Sequence, residues 1–506
     1  MLPQTIPALV LDAAERFGGE EAVVDGDRRV SFAELAELVR CAAGVCVDRD
    51  VGAGDRVAIW APNTLDWVVA ALGALCAGAA LVPLNTRYKA DEAAWILDRS
   101  RAALTFVSPP FLGNDYPGML GDRPGVVVLD GSLWRPAAPD TAAEVADRVA
   151  AVGPDDTGDV IFTSGTTGRP KGVVTTQAQT LRVFDTWAEV VGLRRGDRYL
   201  VVNPFFHTFG YKAGILACLL RGATIVPQPV FDVPAVLDLI ERERISVLPG
   251  PPTLFQAILD APDRADRDLG SLRLIVTGAA IVPVVLIERL RDELAVETVL
   301  TAYGLTEATG TATMCRQGDD PETIASTSGR AIPDTEVRVV DLDGAAVAVG
   351  DPGEVVVRGY NVMAGYFEDP EATAQAIDGD GWLHTGDIGV LDADGNLRIT
   401  DRLKDMYVVG GFNVYPAEVE QLLAGHPAVA ESAVVGVPDE RLGEVGRAFV
   451  VARPDATADP AEIVAWCRDR IANFKAPRTV VVVDSLPRNA SGKVLKVELR
   501  REAASA

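Results

Sequence analysis

Between Arg56 and Asn85 the chain alternates runs of consecutive apolar residues with an apolar helical stretch: Val57–Trp60 reads as a strand, Thr64–Ala77 as a helix and Ala80–Leu84 as a strand. Strands that are apolar at every position belong to a sheet covered on both faces, and a strand–helix–strand order makes neighbouring strands parallel. The alternation returns in Tyr199–Asn203, a helix over Gly214–Leu220, Thr224–Val226, Ile245–Leu248, Leu272–Val276, a helix over Pro283–Leu294, and Thr298–Thr301. Repetition of this kind predicts an α/β fold built on a large, mainly parallel layered sheet. Ser31 and Glu34 form a capping box that opens an earlier helix, and residues 104–157 read as loop-rich.

After Gly329 the helices thin out, and Val337–Val340, Gly353–Arg358 and Leu397–Thr400 read as short strands between Asp/Gly turns. Beyond Lys404 a small α+β pattern follows, with helices over Pro416–Leu423 and Ala461–Ala472 and strands over Ala433–Val437, Ala448–Val451 and Thr479–Val483. A chain of 506 residues with 48% apolar content exceeds what one core holds. The expected division is an N-terminal domain over 1–401, a hinge at 402–404 and a C-terminal domain over 405–506.

Lys and Arg number 47 against 72 Asp and Glu, a formal charge of -25 spread along the chain. That balance argues against a nucleic-acid or anionic-membrane surface. If the ligands are anions, the few decisive cations must be placed locally and a metal ion recruited. The six cysteines show no C-x-x-C pair and no companion histidines at zinc spacing, which fits a reducing cytoplasm. No secretion signal is read, and no uninterrupted apolar run reaches the roughly 18 residues of a membrane span.

The run Thr163-Ser164-Gly165-Thr166-Thr167-Gly168-Arg169-Pro170-Lys171-Gly172 gathers hydroxyls, glycines and a lysine, the groups that polyphosphate binding needs. It follows the short apolar strand that starts at Asp159 and precedes the β-branched Val173-Val174-Thr175-Thr176, giving strand, loop, strand. A P-loop needs G-x-x-x-x-G-K-[ST] feeding a helix, and neither that spacing nor a clear helix is present. On its own such a loop also reads, as the lesser alternative, as a surface turn.

Four further motifs decide between those readings: Tyr303-Gly-Leu-Thr306-Glu307, Thr385-Gly-Asp387, Arg402-Leu-Lys404-Asp405 and Pro487-Arg-Asn-Ala-Ser-Gly-Lys493. Together with the hydroxyl-rich loop, and in the same order, they resemble the adenylate-forming superfamily of acyl-CoA synthetases, luciferases and peptide-synthetase adenylation domains. The resemblance covers nearly the whole chain. It implies a large layered α/β domain with a β-rich subdomain, a small mobile α+β C-terminal domain, and the use of ATP, Mg²⁺ and coenzyme A.

Residue by residue, the resemblance assigns Thr163, Ser164, Gly165, Thr166, Thr167, Gly168 and Lys171 to the nucleotide phosphates. Glu307 and the Thr163 hydroxyl would hold Mg²⁺, Thr306 would contact the α-phosphate and Tyr303 would lie against adenine. A carboxylate just past a strand also suits Glu307 physically, because open α/β sheets bind ligands at the carboxyl ends of their strands. Asp387 and Arg402 would take the ribose, and Lys404 would be the pivot of domain rotation. Lys493 would be a mobile cation that promotes adenylation, with Lys171, Thr306 and Glu307 the other catalytic groups. Gly410 and Gly411, whose neighbours read as an edge strand, would line the pantetheine passage in the thioester-forming state.

Of the three histidines, His384 and His426 read as structural. His207, in Pro204-Phe-Phe-His-Thr-Phe-Gly210, follows an apolar strand and reads either as a packed core residue or as an acyl-pocket residue. The resemblance favours the pocket and adds Phe209, Gly278 and Ala279 to it. The aromatic side chains of Phe205, Phe206, Phe209 and Tyr211 could wall an apolar pocket or belong to the core.

The implied reaction joins a small-molecule carboxylic acid to CoA through an acyl-adenylate. Within the superfamily, the stretches Asn203–Cys218, Leu248–Thr253 and Val299–Glu307 are most similar to ligases that activate 3-(7a-methyl-1,5-dioxo-octahydroindenyl)propanoate in steroid catabolism. A medium-chain or aryl acid is the alternative substrate, and a carrier-protein-loading adenylation enzyme is the alternative class. A homodimer is compatible with the sequence.

Overall fold

The computed structural model describes residues 2–163, 170–278, 282–409, 412–439, 441–454, 456–471, 473–488 and 494–505, without the side chains of 402, 404, 412, 413, 504 and 505. The chain divides into two compact units: Met1–Val337 with Val357–Leu383 and Asp394–Asn396, and Arg338–Val356 with His384–Ala393 and Leu397–Ala506.

Among its described residues the first unit is built on two sheets. The nine-stranded sheet runs in the order Arg330–Ala331, Thr313–Met314, Thr298–Tyr303, Leu274–Gly278, Val247–Gly250, Arg198–Val201, Thr224–Pro227, Glu21–Asp25, Arg28–Ser31. Its middle is parallel and its margins antiparallel. The seven-stranded sheet runs Gly365–Tyr366, Lys171–Thr176, Thr157–Thr163, Ala80–Pro83, Arg56–Trp60, Ala102–Val107, Val126–Val128. It is parallel from Thr157–Thr163 onward and antiparallel on the other side.

The single large sheet expected from the βα alternation is therefore two. The reason lies in the helix Leu65–Cys76, every residue of which except Asp66 is buried. It touches the strand Glu21–Asp25 of one sheet and the strands Arg56–Trp60 and Ala80–Pro83 of the other. A helix that is apolar all round needs cover on every side, and two sheets supply it. Its start is set by Thr64, whose hydroxyl accepts from Trp67 N–H.

Two further local expectations are refined. Residues 104–157 are loop-rich as read, but they also finish the strand Ala102–Val107 and contain the strand Val126–Val128 and the helices Tyr116–Leu120 and Pro139–Ala151. In the last helix only Val145 is buried, so its surface gives little apolar period to read. The helix expected over Gly214–Leu220 starts earlier, as a π-helix over Phe209–Leu216, and passes into an α-turn over Ala217–Arg221. Gly210 and Gly214 allow this wide turn to press on its neighbours. A Cβ at Gly214 would lie 2.7 Å from a Val201 methyl.

In the second unit, Phe412–Val414, Tyr407–Val409, Gly443–Ala452 and Val429–Asp439 form an antiparallel sheet in that order, with Thr479–Val482 parallel to Gly443–Ala452. The edge strand is thus Phe412–Val414, while Tyr407–Val409 is paired on both sides. Alternation along the strands sends Val434, Ala448 and Val450 to one core and Ala433, Val435 and Phe449 to another. A four-stranded sheet, Thr335–Val340, Gly353–Gly359, Leu383–Leu391 and Leu397–Arg402, makes the β-rich stretch expected after Gly329. No helix among the described residues is long and apolar enough to cross a membrane.

Candidate active site

The hydroxyl-rich loop joins two paired strands, as its flanks predicted. Thr157–Thr163 runs antiparallel to Lys171–Thr176, and Thr163 stands opposite Lys171 at the loop end of the hairpin. Ser164, Gly165, Thr166, Thr167, Gly168 and Arg169 lie outside the described residues, as do Ala279, Gly410, Gly411 and Lys493.

Glu307 reaches the end of this hairpin from the other sheet. The strand Thr298–Tyr303 ends in a tight turn, Gly304 to Gly310, with a 3₁₀ segment Thr306–Ala308 and Thr309 in the left-handed region at φ 54°. A Cβ at Gly304 would lie 2.1 Å from Gly310 O, so the turn closes only around glycine. The Thr163 hydroxyl donates to Glu307 Oε1 at 3.4 Å, and Tyr366 OH donates to the same oxygen at 3.1 Å. Loss of hydration and the neighbouring Glu307 carboxylate push the Tyr366 phenol well above its ordinary pKa, which keeps it a donor. Lys171 Nζ sits 5.0 Å from the centre of the Tyr366 ring.

The backbone around Tyr366 braces the Glu307 turn. Met363 N–H donates to Glu307 O at 2.8 Å, Thr309 Oγ1 to Asn361 O at 2.7 Å and Asn361 Nδ2 to Thr311 O at 3.0 Å. The same segment is tied to the hairpin, because Ala364 N–H donates to Val174 O and Phe367 N–H to Gly172 O. Tyr366 was not singled out in the sequence, where a lone Gly-Tyr pair gives no signal of a contact 59 positions back in the chain.

One carboxylate and one hydroxyl from different elements form a partial oxygen set. Mg²⁺ suits such a set, since it retains several waters and completes its octahedron with substrate phosphates. Among the described residues no cluster of three or more His, Cys, Asp or Glu side chains forms a closed cage. Thr163 and Glu307 therefore fit a magnesium ion that arrives with its nucleotide.

Thr306 connects this corner to the expected acyl side, for its hydroxyl accepts from Thr208 Oγ1 at 3.3 Å. Next to Thr208, His207 Nδ1 accepts from Phe209 N–H at 3.3 Å, which places the ring proton on Nε2. The His207 side chain is reached by solvent yet surrounded by enough protein that lost hydration lowers its pKa. It is an exposed side chain rather than a packed core residue, and the lowered pKa favours the neutral ring. Phe209 is half-buried and edge-on to Trp187 at 5.7 Å. Phe205 and Tyr211, by contrast, pack on Trp67 at 5.1 and 5.8 Å inside the core and wall no open pocket. Gly278 ends its strand opposite Ala302, where a Cβ would meet Ala302 O at 3.1 Å, and Tyr303 follows at the end of the adjoining strand.

In the second unit Asp387 is buried and stands directly across an antiparallel pair from Arg402. The two residues assigned to one ribose are thus neighbours across strands. Gly386, at φ 67°, donates its N–H to Glu354 Oε1 at 3.0 Å, and His384 Nδ1 lies 2.8 Å from Glu354 Oε2. His384 and His426, whose Nδ1 accepts from Ala428 N–H, are structural. The six cysteines are free thiols, five of them buried, and none lies in these clusters.

Two outcomes are expected. With three histidines in the chain, NMR should resolve His207 with a midpoint below the ordinary value of about 6.5. The fold favours the neutral ring, so its contribution to stability is present above the unfolded pKa and lost as pH falls through the folded one. Tyr366→Phe should lower kcat/KM for ATP about tenfold in a pyrophosphate-release assay, the effect of losing a hydrogen bond to a charged group.

Residues 10–367 match the model of the AMP-binding enzyme family, and residues 418–493 match that of the AMP-binding enzyme C-terminal domain. A 3-[(3aS,4S,7aS)-7a-methyl-1,5-dioxo-octahydro-1H-inden-4-yl]propanoyl:CoA ligase of Rhodococcus jostii (strain RHA1) is 54% identical, over 99% of each chain. The ligase of the same description from Mycobacterium tuberculosis (strain ATCC 25618 / H37Rv) is also 54% identical, over 98% of each. Among solved structures, ATP-bound MatB from Rhodopseudomonas palustris superposes with a TM-score of 0.85 at 29% identity, covering 99% of this chain and 98% of that one. The Mycobacterium tuberculosis fatty acyl CoA synthetase does so with a TM-score of 0.77 at 32% identity, covering 99% of each. The chain belongs to the AMP-binding enzyme family and is an AMP-forming acid–thiol ligase, an acyl-CoA synthetase that uses ATP and CoA.

Proposed function

We propose that the acid is 3-(7a-methyl-1,5-dioxo-octahydroindenyl)propanoate, a bicyclic keto acid from steroid breakdown, and that the reaction takes place in the cytoplasm. The observation that carries this reading is full-length likeness, at the same high identity, to two ligases described for that acid. Relatives described for long-chain fatty acids and for ferulate stand at 36% and 38%.

In the first step an oxygen of the substrate carboxylate forms a bond to the α-phosphorus of ATP, the bond to the β-phosphate oxygen breaks, and pyrophosphate leaves. A propanoate is already ionised near neutral pH, so no enzyme base is needed. His207, as a neutral imidazole, orients the acid and excludes water from it, with Phe209 and Gly278 beside it. Thr306 meets the α-phosphate from the strand end next to Tyr303 and the adenine. Thr163 and Glu307, the latter held by Tyr366, would bind Mg²⁺, which supplies charge neutralisation on the phosphates. Lys171 adds a fixed cation at the mouth of the loop, and Asp387 with Arg402 binds the ribose. In the second step the CoA sulfur bonds to the acyl carbon, AMP departs and the thiol proton goes to solvent. Lys493 serves the first step and the Gly410-Gly411 segment the second, with Lys404 the pivot between them.

The substrate is tested by CoA- and ATP-dependent AMP formation with the bicyclic propanoate, octanoate, benzoate and palmitate. The bicyclic acid is expected to give the highest kcat/KM. A preference for octanoate or benzoate would leave the ligase in place and overturn the acid. Lys493→Ala is expected to slow pyrophosphate release by roughly 10²–10³, the range for losing one electrostatic stabiliser, while still converting supplied acyl-adenylate to thioester. Equal loss of both half-reactions would refute the division of roles.

A further inference from the structure

Lys212 and Asp159 form an ion pair in which neither side chain is exposed. The ammonium lies 3.0 Å from Asp159 Oδ2 and donates to Thr175 Oγ1 at 2.8 Å and to Thr180 Oγ1 at 3.4 Å. Thr175 Oγ1 in turn donates to Asp159 Oδ1 at 2.9 Å. Two hydroxyls accept from the ammonium and the Asp159 carboxylate lies in ion-pair contact with it, and complete burial keeps Lys212 from grasping a substrate directly. Burial pushes its pKa down, and the Asp159 carboxylate works against that shift.

The four residues come from four elements. Asp159 lies on the strand that ends at Thr163, on the same face of it, and Thr175 stands opposite Asp159 on the return strand. Thr180 is on the helix Gln177–Val191, and Lys212 is inside the π-helix Phe209–Leu216. That π-helix cannot drift alone: a Cβ at Gly210 would lie 2.0 Å from Pro204 O, and one at Gly214 meets Val201. Its start is joined to the site, because Tyr211 N–H donates to His207 O at 3.0 Å and Thr208 reaches Thr306. Lys212 therefore fastens the root of the phosphate-loop hairpin, in one sheet, to the turn carrying His207, which follows a strand of the other.

Stability does not explain such a pair. Removing two charges from water costs about as much as their attraction returns, and apolar residues of similar volume are often as good or better. We propose that Lys212 is a positioning residue of the adenylation step: through Asp159 it fixes the register between Thr163 on the ATP side and the His207–Thr208 turn on the acid side. The inference rests on the assignment of Thr163 to the nucleotide and His207 to the acid. Misplacement by about 1 Å can cost on the order of a hundredfold in rate, so a distant fastening of this kind acts on kcat.

The test uses the full chain with whichever acid the wild type turns over fastest. Lys212→Met alone strands a buried carboxylate and is expected to lower the unfolding midpoint. Lys212→Met with Asp159→Asn removes both charges at nearly constant volume and is expected to recover most of that loss. Kinetics are measured well below each variant's own midpoint, per binding-competent site counted with a non-hydrolysable acyl-adenylate analogue. The double variant is expected to release pyrophosphate about ten- to a hundredfold more slowly at saturating substrates, with thioester formation from supplied acyl-adenylate reduced less than threefold. A double variant with wild-type kcat for pyrophosphate release, or with both half-reactions slowed equally, overturns the proposal whatever its stability. Thr163→Ala is the control on the assignment beneath it: unimpaired adenylation in that variant refutes the nucleotide role itself, independently of Lys212.

Discussion

The site depends on one carboxylate being held still. Glu307 stands at the end of a strand in the nine-stranded sheet, yet its side chain is met by Thr163 from the seven-stranded sheet and by Tyr366 from a segment far along the chain. Its backbone carbonyl accepts from Met363 in that same segment. Three stretches of chain must fold before any of them is fixed. Under the proposed assignment, a carboxylate in a chain of net charge -25 is presented to a divalent cation and a triphosphate. The overall field repels anionic ligands, so attraction has to be local, and Lys171 is a cation standing beside Tyr366 at this corner.

Charge is also distributed unequally between the two ends of the parallel strands. At the amino ends of the nine-stranded sheet, Asp197 accepts from Arg273 and Ser246, and Glu243 accepts from Arg29 and Arg198. These groups satisfy one another and seal the base of the sheet. At the carboxyl ends stand the residues with chemistry to offer, His207 beyond Val201, Gly278, and Tyr303 with Thr306 and Glu307. Open α/β sheets place ligands on that side because the chain leaves it in loops whose sequence is free of the packing demands below.

How much of this was legible in the sequence follows from the range of each interaction. Local signals read well: the capping box at Ser31 and Glu34 is present, the helix expected over Thr64–Ala77 is Leu65–Cys76, and the hairpin around the hydroxyl-rich loop has the expected strands. Strand ends were read short where they finish in small or special residues. Leu274–Gly278 and Val247–Gly250 run two residues beyond expectation into glycines, which carry no strand signal although Gly278 is where the backbone approaches Ala302. Periodicity could not separate one sheet from two, since that choice depends on which strands an almost wholly buried helix covers. Tyr366 and Lys212 were invisible because their partners are distant in sequence and neither residue type at those positions is unusual.

Lys212 also shows why composition misleads about buried charge. A lysine in an apolar helical stretch ordinarily sends its ammonium out to solvent. The wide turn of the π-helix instead directs it inward, to three oxygens that only tertiary structure assembles. Apolar contacts fill the same space without fixing one alignment, because side chains in a core slide and repack at small cost. A pair of opposite charges flanked by two hydroxyls tolerates far less displacement, since each lost contact leaves a buried polar atom unpaired at about 1–3 kcal/mol. Where the two halves of a site come from different sheets, the polar fastening supplies alignment that packing alone leaves loose.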